Sequence, residues 1–161
     1  ESNGAARGPA PAQGPERVTV EGRAVRTAFR VRYAETDTMG VAYYANYLVW
    51  FEVLRGDFMR AMGIPYTALE AEGIFLPIAE ANVRYAAPAR YDDVVEIVGG
   101  ILEARSRSVA FTYRVERAGA VLATGSTRHV PVDAEGRPRQ FPRDVLERLR
   151  ALALDADASA V

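Results

Sequence analysis

The sequence predicts an α+β domain: an antiparallel sheet of about five strands wrapped around one long central helix. Three observations carry that expectation. One long helical period runs from Tyr47 to Met62, and stretches of two-residue alternation lie before and after it. The regular strand–helix succession of a doubly wound parallel sheet is missing.

The elements follow in chain order. "ESNGAARGPAPAQGPE" is rich in Gly, Pro and Ala without an apolar period, and a flexible or disordered tail is expected over 1–24. From Val25 to Tyr33, alternate residues (Val25, Thr27, Phe29, Val31, Tyr33) face one way and Arg26, Arg30 and Arg32 the other, as in a half-buried strand. "ETDTMG" is a loop. Tyr47, Trp50, Phe51, Leu54, Phe58 and Met62 then recur at helical spacing, and Gly63 and Pro65 supply stop signals. A shorter helix is expected over Tyr66 to Ala71.

Strands follow as a four-stranded meander. Ala79, Ala81, Val83 and Tyr85 alternate with polar residues, and "APARYDD" is a turn-rich break. Val94 to Glu103 contains Gly99-Gly100, which suggests a bulge or strong bend. Val109, Phe111, Tyr113 and Val115 alternate cleanly, and "RAGAV" turns the chain into a last strand through Val132. "FPRDVLERLRALAL" closes with a short helix, Pro142 near its first turn. The domain is expected over 25–152, with a C-terminal tail over 153–161.

Composition narrows the chemistry. The 161 residues carry a net charge of -1, so no basic field invites nucleic acid or anionic lipid. There is no cysteine, which removes thiol nucleophiles and thiolate metal sites. The one histidine, His129, argues against His-rich metal centres, and Asp92-Asp93 reads as a turn, so no metal is expected. All 20 basic residues are arginine, which excludes a Schiff-base lysine and leaves guanidinium or backbone amides to hold an anion. No 18-residue apolar window exists for a membrane helix. A chain that opens on Glu1 with no signal peptide reads as trimmed or partial, and a cytoplasmic location is expected.

The chemistry concentrates in "YAETDTMGVAYYANY". Asp37 follows a strand and precedes the helix, whose first N–H groups lack partners and sit at the positive end of the dipole. Gly40 permits close approach. The segment can therefore offer a carboxylate for attack or base work and an amide for a developing oxyanion. Spacing alone favours the plainer reading, in which Asp37 and Asn46 merely cap a turn and a helix.

"RYAETDTMGVAYYANYLVWFEVLR" resembles the signature of hot-dog-fold acyl-CoA thioesterases of the 4-hydroxybenzoyl-CoA thioesterase type. The similarity continues through "GI…YDDVVEI" and "RSRSVAFTYRV", covering roughly Arg26 to Val132. The resemblance implies a hot-dog fold and hydrolysis of an acyl-CoA to free acid and coenzyme A. It implies Asp37 as nucleophile or general base, and the Tyr44 backbone amide as the group that polarises the thioester carbonyl. Related thioesterases associated with cell-envelope proteins have histidine where this chain has Tyr44. The resemblance also places Gly40, Tyr43, Asn46 and Tyr47 beside the substrate, and Arg105, Ser106 and Arg107 near the nucleotide end of coenzyme A. It implies homodimers with the site at the subunit interface, often paired into homotetramers, and no cofactor beyond the coenzyme A of the substrate. Some hot-dog thioesterases use a helix glutamate instead of the loop aspartate. Here Asp37 matches its motif better, and Glu52, inside the helix, reads as an internal hydrogen-bonding or salt-bridge residue. An acyl-carrier-protein thioesterase and a non-catalytic acyl-CoA-binding module are the rival readings.

Overall fold

The computed structural model describes residues 17–154. Six strands form one antiparallel sheet: β1 (Val18–Glu21), β2 (Ala24–Arg30), β3 (Ile78–Tyr85), β4 (Val94–Arg105), β5 (Ser108–Arg117) and β6 (Ala120–His129), in the order β1-β2-β4-β5-β6-β3. Helix α1 (Asn46–Ala61) packs on the sheet, with α2 (Tyr66–Ala71) after it and α3 (Arg143–Ala151) at the end. The architecture is the expected α+β hot-dog arrangement of sheet and central helix.

Helix α1 buries Tyr47, Trp50, Phe51, Leu54, Phe58 and Met59, nearly the face that the periodicity predicts. It ends in a Schellman motif, in which Gly63 N–H donates to Arg60 O at 3.1 Å and Ile64 N–H to Met59 O at 2.9 Å. The Phe51 ring stacks on Tyr113 at 4.2 Å, and Phe58 meets Phe111 edge-on at 5.7 Å. The sheet is notched to receive these side chains. A Cβ on Gly99 would lie 2.5 Å from Leu54, and one on Gly125 would lie 2.5 Å from Phe51. Pairing runs straight through Gly99 and Gly100, so these glycines make room for the helix. The register shift lies instead between Ile101 and Glu103.

Three expectations change. The tail expected over 1–24 gives way to strand β1, which pairs with β2 from Val18↔Thr27 to Glu21↔Ala24; residues 1–16 lie outside those described. Of the tail expected over 153–161, Leu154 N–H donates to Ile101 O at 2.8 Å, while 155–161 lie outside the described residues. The meander holds only for β4, β5 and β6. Strand β3 pairs with β6 at the sheet edge, from Ile78↔His129 to Tyr85↔Ala123. Its residues are exposed on both faces apart from a half-buried Val83, so its alternation does not mark a core face.

Candidate functional site

Strand β2 delivers the chain into a single 3₁₀ turn, Tyr33–Glu35, and then into the loop that ends at α1. Glu35 holds this segment in place. It is buried at 5% exposure, and its Oε1 accepts the Arg32 backbone N–H at 2.9 Å and Arg32 Nε at 3.0 Å. Its Oε2 accepts the indole N–H of Trp50 from the second turn of α1. The Glu35 carbonyl accepts Tyr43 N–H and Asn46 Nδ2, both at 2.8 Å. One acidic residue thus joins both ends of the loop to the helix.

Between these anchors the chain forms a tight loop. Asp37 N–H donates to Val41 O at 2.9 Å, and Gly40 N–H donates to Asp37 O at 3.0 Å. Gly40 has φ 78°, a left-handed conformation that suits glycine, and a Cβ there would meet nothing within 4 Å. The glycine therefore serves the turn and not a crowded approach. Asp37 is half-buried, and its Oδ1 accepts Met39 N–H at 2.8 Å. Its Oδ2 has no hydrogen-bond partner among the described residues. The carboxylate closes its own turn with one oxygen and presents the other.

The start of α1 lacks the usual cap. Ala45 offers no side-chain acceptor, and Asn46 turns its amide back to Glu35. The Tyr44 N–H has no backbone acceptor among the described residues, and it lies where the helix dipole is positive. The carbonyl of Tyr44 is held by the Tyr85 hydroxyl from β3 at 2.7 Å. Tyr43 and Tyr44 rings lie 4.6 Å apart. The Tyr43 phenol is pushed up by its hydrogen bond with Tyr44, with a smaller contribution from the charge of Asp37. Burial pushes the Tyr47 phenol up, and its oxygen accepts Ala89 N–H at 3.2 Å. A cavity of about 290 Å³ opens here, lined by Val41, Tyr44, Tyr47, Tyr85 and Pro88 among others.

The fold therefore brings Asp37, Gly40, Tyr43, Tyr44, Asn46 and Tyr47 together around one helix start. Arg105, Ser106 and Arg107 lie elsewhere. The loop is tied to the beginning of β4 through Val31 and Asp93, whereas these residues occupy the last position of β4 and the turn into β5 at its far end. A 12-residue strand separates the two by on the order of 35 Å. Arg105 pairs with Glu103 at 3.3 Å, and the Ser106 carbonyl accepts Phe141 N–H.

Glu52 is exposed on α1 and pairs with no cation among the described residues. His129 is buried and satisfied: Nδ1 donates to Leu76 O at 3.0 Å, which leaves Nε2 to accept from Thr127 Oγ1 at 2.9 Å. Asp93 is a turn residue that pairs with Arg117 at 2.7 Å. Among the described residues no cluster of three His, Cys, Asp or Glu could hold a metal ion. No helix among them is long and apolar enough to cross a membrane.

Glu35, Trp50 and Tyr85 are the positioning residues that sequence reasoning passed over. Only Glu35 left a signal, an acid three residues after Arg32 at a strand end.

The chain matches the family model described as "Thioesterase-like superfamily" over residues 31–149. It is 33% identical over 127 residues to the acyl-CoA thioester hydrolase YbgC of Escherichia coli O6:H1, covering 78% of this chain and 95% of that one. It is 27% identical over 138 residues to 4-hydroxybenzoyl-CoA thioesterase of Pseudomonas sp. strain CBS-3, covering 84% and 94%. The crystal structure of a hypothetical protein TT1821 from Thermus thermophilus superposes with TM-score 0.76 at 42% identity, covering 82% of this chain and 99% of that chain. With its sheet, its central helix and nearly the whole length of these relatives in common, the chain belongs to the thioesterase-like superfamily.

Proposed function

We propose that this protein hydrolyses acyl-CoA thioesters at the Asp37 loop. The observation that carries the reading is the pairing of a half-free carboxylate with an uncapped helix start beside an apolar cavity. The thioester carbonyl would lie against the Tyr44 N–H, where backbone dipoles favour the charge that develops on oxygen. Asp37 then attacks the carbonyl carbon or takes a proton from an attacking water. By either route water supplies OH to the acyl group, the C–S bond breaks, and the thiolate of coenzyme A leaves and takes up a proton. No metal or redox cofactor enters the scheme. The cavity at Tyr44, Tyr47 and Tyr85 would receive part of the acyl group.

Assembly completes the proposal. Edge strand β3 is exposed, and Met39, Tyr43, Tyr44 and Leu48 around the loop are exposed as well. A homodimer or homotetramer would cover these residues. Arg105 and Arg107 would then serve the coenzyme A phosphates of a neighbouring subunit's site, because the length of β4 separates them from Asp37 of their own chain. The site of action would be the cytoplasm.

Thiol release from short, medium, branched and aromatic acyl-CoAs, in wild type and Asp37→Asn, tests the reading. The expected result is turnover that falls by about 10²–10⁴ in the variant while substrate binding survives. Full activity in Asp37→Asn would remove Asp37 from the mechanism and direct attention to Glu52. Turnover of carrier-protein thioesters alone would change the substrate class, and binding of acyl-CoA without any turnover would make the protein a binding module.

A further inference from the structure

A second and larger cavity, of about 1090 Å³, lies along α1 and shares no lining residue with the one at Tyr44. Its walls include Phe29, Val49, Val53 and Leu76, together with Arg55 and Tyr66. Arg55 is only 6% exposed, yet no carboxylate lies within ion-pair distance of it among the described residues. Its one hydrogen bond among them is donated by Nη1 to the neutral Tyr113 hydroxyl at 3.2 Å.

That acceptor is already committed. With His129 Nε2 as the acceptor at one end, Thr127 donates to His129 and the Tyr113 hydroxyl donates to Thr127 Oγ1 at 2.6 Å. The chain of donors thus starts at Arg55 and supplies it with no negative charge. The Tyr66 hydroxyl is buried and has no hydrogen-bond partner among the described residues. The Arg55 guanidinium is near enough to oppose the effect of burial on that phenol, without reaching it in hydrogen-bond geometry. A buried cation without a carboxylate and a neighbouring hydroxyl without an acceptor, both on one cavity wall, are costly unless an acceptor reaches them from the cavity.

We propose that this cavity is a second ligand site that takes a carboxylate with an apolar body. The carboxylate sits on Arg55 and Tyr66, and the body lies along Phe29, Val49, Val53 and Leu76. A guanidinium and a hydroxyl donor match the two oxygens of a carboxylate, and the aliphatic and aromatic wall rewards an apolar tail. Two acids share the cavity lining. Asp57 is occupied by Thr27 at 2.9 Å and Arg60 at 2.7 Å, and Glu52 is exposed to water. The site does not use Asp37, so it stands or falls separately from the hydrolytic reading.

Calorimetric titration with octanoate and benzoate tests the site, with octanol as the uncharged control. Saturable binding of the acids is expected in wild type and in Asp37→Asn, with octanol clearly weaker. Arg55→Met should weaken octanoate by about tenfold or more, as loss of a charge-assisted hydrogen bond does. Tyr66→Phe keeps the packing and should weaken it several-fold, which decides the matter if the Arg55 variant does not fold. Glu52→Gln should strengthen it slightly. Three results would overturn the proposal: no saturable binding to wild type, octanol binding as tightly as octanoate, or binding that survives Tyr66→Phe but disappears in Asp37→Asn.

Discussion

The start and the middle of helix α1 handle their polar groups by opposite means. At its start, the polar groups are a backbone amide and a half-buried carboxylate on a loop anchored by Glu35, with the Tyr44 N–H and Asp37 Oδ2 left without partners among the described residues. Two turns later the polar groups are side chains in the core, linked from Arg55 through Tyr113 and Thr127 to His129. The first arrangement keeps donors available for an incoming group. The second links Tyr113, Thr127 and His129 to one another inside the protein, because an unsatisfied polar atom costs most where water is excluded. It leaves most of the Arg55 donors toward the cavity beside it. Perturbing the helix start should therefore move catalysis, and perturbing the middle should move stability.

The largest separation is expected from Asp37→Asn, which removes about 10²–10⁴ of turnover and leaves the melting temperature within a few degrees. Phe51→Ala should do the reverse. The ring is fully buried and stacked on Tyr113, and its loss costs about 3–5 kcal/mol in denaturant unfolding. Retained stability in that variant would mean that the core is not closed around α1 as described.

Glu35→Gln tests the join between the two regions. The amide presents a donor where Arg32 and Trp50 already donate, so a cost of about 2 kcal/mol is expected. The loop that carries Asp37 should also loosen, lowering kcat beyond what the stability loss explains. An unchanged kcat would show that Asp37 holds its position without this anchor.

His129, buried at the end of β6, gives the core a pH dependence. Burial is the main cause that pushes it down from 6.5 to about 4, so the folded protein keeps the imidazole neutral after the unfolded chain has taken up a proton. Its contribution is complete above pH 6.5 and is lost as pH falls toward 4, at about 1.4 kcal/mol per pH unit. His129→Gln should flatten that part of the stability profile and leave kcat unchanged at pH 7. The smallest effect is expected at the far end of β4. Arg107→Ala should raise KM for acyl-CoA a few-fold and leave kcat in place, since a surface cation contributes little.

How much of this was legible in the sequence depends on the range of the interaction that forms each element. Helix α1 was readable because its six apolar contacts repeat at 3.6-residue spacing and its stop is local, with Gly63 closing the last turn. The hairpin at Ala118-Gly119 was readable for the same reason: both residues have positive φ, and the turn is written in four letters. Strand β1 was not readable, since "VTVE" follows a Gly/Pro-rich stretch and becomes a strand only by pairing with β2. Strand β3 was recognised as a strand but misplaced. Its alternation suggests a buried face, whereas it lies exposed at an edge beside β6. At the candidate site, the loop, its glycine and the helix start were all found in one fifteen-residue stretch. Glu35 was missed, because its meaning depends on Trp50 fifteen residues away.

The sequence by itself therefore determined the class of fold, the central helix and the segment that carries Asp37 and Tyr44, because each is written in a local pattern of residues. Tertiary structure alone decided the order of the strands, the separation of Arg105 and Arg107 from Asp37, and the enclosure of Arg55 with Tyr66. Those outcomes are fixed by which distant surfaces exclude water together, a property that no local pattern of residues records.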